Sequence, residues 1–207
     1  MTTQPLSARD ETATSAGALR VGWPLVAWCA LALVLLFGAI LALEGTGEDG
    51  VRMLVRVSAR TSLALFGAAF AASSLAWLWP STVARFLLVN RRYLGVSFAV
   101  SHALHLGAVV WLARVVPDFG IPTPTLVFGG LAYVFLAAMT ATSFDVTAAW
   151  LGPRRWRRLH LIGGWYLWAI FFLSYLPFGR GTNRSLVPFL AVLAIAALRA
   201  AARARRA

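Results

Sequence analysis

The chain contains no lysine. All nineteen of its basic residues are arginine, and only seven acids oppose them, for a net charge of +12. Such an excess can mean nucleic acid, but here the arginines stand at the ends of apolar runs, where membrane topology and anionic headgroups account for them better. Cysteine is nearly absent too. Cys29 alone, inside an apolar run, excludes an internal disulfide, a cysteine-built zinc site and a covalent Cys-x-x-Cys-His haem attachment. Its role is that of a small apolar side chain. There is no Gly-rich nucleotide loop, no dinucleotide-binding fingerprint and no soluble domain. Within the apolar runs no chain of Asp, Glu and Arg appears of the sort pumps and proton relays use.

What is present is apolar length. Hydrophobic residues make up 60% of the 207, and the mean hydropathy is +0.75, well above an ordinary globular domain. Several runs reach the length needed to cross a hydrocarbon core. The expectation is an all-α integral membrane protein, a six-helix transmembrane bundle whose partner is the lipid bilayer and not nucleic acid.

Residues 1–22 are polar, rich in Ser and Thr, and read as a disordered cytoplasmic tail. The first span, Trp23–Leu43, exceeds the roughly 7–15 residue core of a signal peptide and reads as a retained anchor. A short basic segment, Arg52 to Arg60, leads into a second span over about Ser62–Trp79, rich in small residues that let membrane helices approach closely. Pro80 ends it, and Ser81 or Thr82 is placed to cap a short interfacial helix ending near Asn90. The third span is Leu94–Ala113 and the fourth about Leu126–Ser143. Pro153 suits the first position of a fifth helix, running through the arginines and Leu159–Leu176 to Pro177. The sixth, Leu186 to about Ala202, admits Arg199, which can snorkel to the interface. Residues 203–207 form a basic tail, leaving 23–202 as the membrane domain.

Six spans put both termini on one side. With the amino terminus inside, inner segments carry thirteen arginines and outer ones six, which favours a cytoplasmic amino terminus.

Histidine is the residue that stands out. In the twenty residues Leu94–Ala113 the only ionisable groups are His102 and His105. Intramembrane ionisable residues are functional candidates by default. The third histidine, His160, also lies on an odd-numbered span, so all three can face one bundle interior. Two imidazoles from neighbouring helices are what a bis-histidine b-type haem requires. Gly163 and Gly164 follow His160 at the spacing that bares its helix face, either for a porphyrin or for close helix packing. The plainer alternative is that each histidine only bridges two helices. Depth is uneven: His105 lies thirteen residues after Arg92, and His160 two after Arg158, an offset of about 16 Å on ideal helices.

Arg91, Arg92, Arg157 or Arg158 could hold haem propionates by charge-assisted hydrogen bonds, or serve topology and headgroup contact alone. Trp165 and Trp168, inside the fifth span, read as packing. Thr140, Thr142 and Ser143 read as hydroxyls bonded back to their own helix.

Several short motifs occur in order over about residues 55–175. They are Ala59-Arg60-Thr61-Ser62-Leu63, Arg91-Arg92-x-Leu94-Gly95, Leu104-His105-Leu106, Thr142-Ser143 and Leu151-Gly152-x-x-x-Trp156-x-x-Leu159-His160. Together they resemble the ferric reductase-like transmembrane domain family, and within it the haem-binding membrane subunits of bacterial periplasmic methionine sulfoxide reductase systems. The resemblance implies a six-helix bundle of the bacterial inner membrane that holds heme b between its third and fifth spans and moves electrons across the bilayer. It is an oxidoreductase subunit in that case, served by a separate redox protein or a quinone as donor and acceptor, with flavin or quinone supplied through a partner. The implied iron ligands are His105 and His160, with His102 an extra candidate outside the motif; Arg92 and Arg158 stay candidates on the residue chemistry alone, not on the resemblance. One departure stands out. Those subunits carry a second fifth-span histidine thirteen residues after the first, and Leu173 occupies that position here. Either one haem is lost, or His102 rearranges the ligation, or this relative keeps the fold as a non-catalytic membrane subunit or scaffold without haem.

Overall fold

A computed structural model describes residues 19–117, 119–176 and 186–205. Among the described residues there are seven helices and no strand: α1 (Trp23–Glu44), α2 (Glu48–Leu78), α3 (Thr82–Val115), α4 (Thr123–Ala141), α5 (Asp145–Leu151), α6 (Pro153–Tyr175) and α7 (Leu186–Ala204). Their ends follow local chemistry. Ser81 Oγ accepts from Ala84 N at 3.1 Å and caps α3. Gly152, at φ +77°, turns the chain between α5 and α6, a conformation only glycine adopts cheaply, and Pro153 opens α6 as expected.

Two helices are longer than the apolar pattern indicates. The basic stretch before the second span is already helical, so α2 runs 31 residues from Glu48. The interfacial helix does not stop near Asn90 but continues into the third span as one 34-residue helix, α3. Arginine is a good helix former, and no Gly or Pro stands between Ser81 and Leu94 to break the chain. The connection after the fourth span holds the short helix α5, and α7 extends to Ala204, into the basic tail. Residues 1–18 of the amino-terminal tail lie outside the described residues. Leu19–Gly22, at its end, are tied to the bundle. Asn90, fully buried, donates to Leu19 O at 2.8 Å and accepts from Val21 N at 3.0 Å.

Among the described residues five helices are long and apolar enough to cross a membrane: α1, α2, α3, α4 and α7. The expected fifth span, α6, is not among them. Four arginines occupy its first two turns, and His160, Gly163, Gly164, two Trp and two Tyr dilute the apolar remainder. The faces of the five carry large apolar side chains outward, among them Trp28, Leu35, Leu126, Val134 and Val187, all more than half exposed. Outward apolar faces of this kind suit lipid.

The contacts give the direction of each helix. Between α2 and α3, Ser58 meets His105 while Ser62 meets Ser101, so one number rises as the other falls and the pair is antiparallel. Between α2 and α7, Gly67 faces Ile195 and Phe70 takes Arg199, so both numbers rise and the pair is parallel. Trp168 Nε1 donates to Val192 O at 2.9 Å across the antiparallel pair α6 and α7, as a packing tryptophan. The core is apolar and aromatic, centred on Leu63, Phe66, Phe98, Leu136, Leu167, Phe171 and Val192. Small residues bring the backbones close. A Cβ on Gly67 would lie 2.8 Å from Ile195 Cδ1.

Candidate functional site

A cavity of about 560 Å³ opens between α2, α3, α4, α6 and α7 at the bundle end that carries Arg91, Arg92 and Arg157. The volume is that of a small-molecule or cofactor site. Its apolar wall includes Phe66, Phe98, Leu136 and Leu167; its polar end has Arg91, Arg92, Arg157, Arg199, Asp145 and His160.

His160 is set in the cavity by α6. Trp156, one turn earlier, stacks on the imidazole at 4.2 Å between centroids, and its own Nε1 donates to Thr142 O at 2.9 Å. His160 Nε2 lies 3.2 Å from Thr142 Oγ1. That hydroxyl already donates to Ala138 O at 2.8 Å, as expected from its place at the end of α4. It therefore accepts from His160 Nε2–H, which leaves the lone pair on Nδ1. Thr140 and Ser143 bond back to their own helix likewise.

His105 is elsewhere. Its Nδ1 lies 2.9 Å from Ser58 Oγ, and Ser58 donates to Val55 O at 3.1 Å, so the imidazole is the donor in that bond; the Val55 carbonyl is also a hydrogen-bond partner of the ring. His102 stacks on His105 at 5.3 Å and on Tyr133 at 4.8 Å, while Tyr133 Oη donates to the His102 carbonyl at 3.1 Å. His102 Nδ1 is buried with no hydrogen-bond partner among the described residues. Phe66, Phe98 and Phe171 form an aromatic layer between this pair and the cavity, with centroids 5.3 to 6.1 Å apart.

Helix α4 serves as a ruler for depth. Tyr133 is level with His102 and Thr142 with His160, nine residues or roughly 13 Å apart. His105 is a further turn away, so its ring and that of His160 differ in depth by about 18 Å. The pairing of His105 with His160 on one iron is not assembled. Leu173, at the position of the missing second histidine, is 61% exposed on α6.

The glycines after His160 are covered. A Cβ on Gly163 would lie 2.5 Å from Met139 Sδ, and one on Gly164 would lie 2.7 Å from Phe70 Cε2. Gly163 is taken up by close packing, whereas Gly164 packs on Phe70 and also lines the cavity. Gly95 lines the cavity and faces open space within 4 Å of where its Cβ would be.

Of the arginine candidates, Arg91, Arg92 and Arg157 line the cavity, whereas Arg158 is exposed and does not. Arg92 pairs with Asp145 at 2.6 Å. Arg199, expected to reach for the interface, turns inward instead: its Nη1 donates to Phe70 O at 2.6 Å and its guanidinium lies 3.9 Å from the centre of the Phe70 ring. The signal for Arg199 was its isolation, as the one charged residue amid Leu186–Ala202. Asn90 and Ser58 had no comparable signal.

Comparison with family models, curated proteins and solved structures finds no match to this chain. Among the described residues no group of three or more His, Cys, Asp and Glu converges as a metal site. For a haem, the cavity fits in part. It offers one imidazole with a free ring nitrogen, an apolar wall and guanidinium groups suited to two carboxylates. A second axial imidazole is not there.

Proposed function

We propose that the chain is a six-span protein of the bacterial inner membrane, amino terminus cytoplasmic, that holds one b-type haem in this cavity and passes electrons between separate partners. The observation that carries the reading is a single imidazole, His160, facing a cofactor-sized cavity ringed by arginines. His160 would hold the iron, and Arg91, Arg92, Arg157 and Arg199 would be available to the propionates. A haem supplies a one-electron carrier. The protein's part is to hold it: Thr142 fixes the imidazole tautomer and Trp156 its plane. Helix α6 is counted as the fifth span, bringing the total to six, because it lies antiparallel between α4 and α7, both apolar enough to cross. The ordered family motifs and the inward excess of arginine support the location. Donor and acceptor would be a quinone or separate redox proteins.

Purified protein, expressed with a haem precursor, should give the reduced alpha band of b-type haem as its pyridine complex. His160→Ala should abolish it, and His105→Ala should leave most of it. Wild-type protein free of haem would end the reading.

A second reading has its own support in the depth difference between His105 and His160 and in the exposed Leu173. It is a membrane subunit that keeps the fold without cofactor. Iron content separates the two.

A further inference from the structure

The polar end of the cavity carries more positive charge than the protein itself neutralises. Arg91, Arg92, Arg157 and Arg199 come from α3, α6 and α7, and the one acid among the lining residues is Asp145, already paired with Arg92. All four line one cavity together with His160. Like charges gathered beside an apolar wall raise one another's cost. Two of the guanidinium groups also hold donors in reserve. Arg92 Nε and Arg199 Nε are buried with no hydrogen-bond partner among the described residues. Buried N–H groups of this kind are rarely left unpaired. Arg199 is not there by accident of length, since its Nη1 is pinned to the Phe70 carbonyl and its plane lies against the Phe70 ring.

We infer that Arg92 and Arg199 form the two jaws of an anion site that binds the paired anionic oxygens of an amphiphile whose apolar body lies along Phe66, Phe98, Leu136 and Leu167. The inference shares its cavity with the haem reading but does not depend on iron. Two molecules bring this chemistry, a porphyrin through its propionates and an inner-leaflet phospholipid through its phosphate. The guanidinium fork serves carboxylate and phosphate alike.

The test is binding to full-length, delipidated protein in neutral detergent, using haemin, phosphatidylglycerol and, as uncharged control, phosphatidylcholine. Arg199→Gln and Arg92→Gln should each weaken binding of at least one anionic probe by roughly tenfold or more, the loss of a charge-assisted hydrogen bond. Arg154→Gln, which removes an exposed arginine outside the cavity, should change nothing. Arg199→Lys keeps the charge but not the Nε–H, and should fall between wild type and Gln. Loss for haemin alone assigns the site to propionates; loss for phosphatidylglycerol alone assigns it to phosphate. Haemin bound equally by wild type and both Gln variants, with phosphatidylglycerol no better than phosphatidylcholine, overturns the inference while leaving the haem reading intact. If Arg199→Gln does not fold, Arg92→Gln decides alone.

Discussion

His105 and Ser58 join α3 to α2 through one hydrogen bond, Nδ1 to Oγ at 2.9 Å, and Ser58 has no exposed surface. The imidazole is the donor in that bond, and the Val55 carbonyl on α2 is a second hydrogen-bond partner of the ring. Ser58→Ala removes the hydroxyl while the Val55 carbonyl remains, and should cost about 1 kcal/mol or less, since polar pairs between membrane helices are worth less than those in dry cores. Unfolding of wild type and variant in detergent and denaturant measures it. Equal midpoints would mean that the bond contributes nothing.

Asn90 binds Leu19, Val21 and Gly22 to the start of the bundle through both ends of its amide. Asn90→Leu removes every one of these bonds at a fully buried position. Amide exchange at Val21 and Gly22 should then quicken, while exchange in the middle of α3 stays as in wild type. Unchanged exchange at those two residues would mean that something else holds the segment.

Gly163 and Gly164 differ in what an added methyl group would meet. Met139 Sδ is the end of a flexible chain, whereas the Phe70 ring is fixed between Phe66, Trp165 and Arg199. Alanine also gains up to about 1 kcal/mol of helix propensity over glycine. Gly163→Ala should be close to neutral, and Gly164→Ala should destabilise by roughly 1–2 kcal/mol, the usual cost of overpacking less that gain. Melting temperatures in detergent would rank the two, and the reverse order would contradict the packing described.

Asp145 is 92% exposed although it reaches Arg92 at 2.6 Å. Exposed pairs contribute little, so Asp145→Asn should shift stability by less than about 1 kcal/mol. Its effect on binding should be larger, because it frees Arg92 and removes the acid among the cavity-lining residues. Phosphatidylglycerol or haemin should bind more tightly to the variant, as measured by titration at low salt. Weaker binding would show that Asp145 orients Arg92 and does not merely neutralise it.

By itself the sequence determined that the chain folds as apolar helices suited to a bilayer. Runs of about twenty residues without charge have few alternatives in lipid, where every backbone group must be bonded within its own segment. The caps were legible for the same local reason: Ser81 and Pro153 act on their own turns. The longer reach of α2 and α3 was not, because the apolar pattern marks where lipid begins and not where hydrogen bonding stops. Only the tertiary structure decided which polar groups meet. His102 and His105 share helix α3 with Arg91 and Arg92, yet the packing brings His160 to the arginines and sets the other two imidazoles beyond a layer of phenylalanine. Arg199, distant in the chain, joins that end because α7 runs parallel to α2 and brings it to the Phe70 carbonyl. The depth offset between His105 and His160 was already legible from their spacing to the arginines; which faces meet depends on how the helices pack against one another, and no spacing along a single chain carries that information.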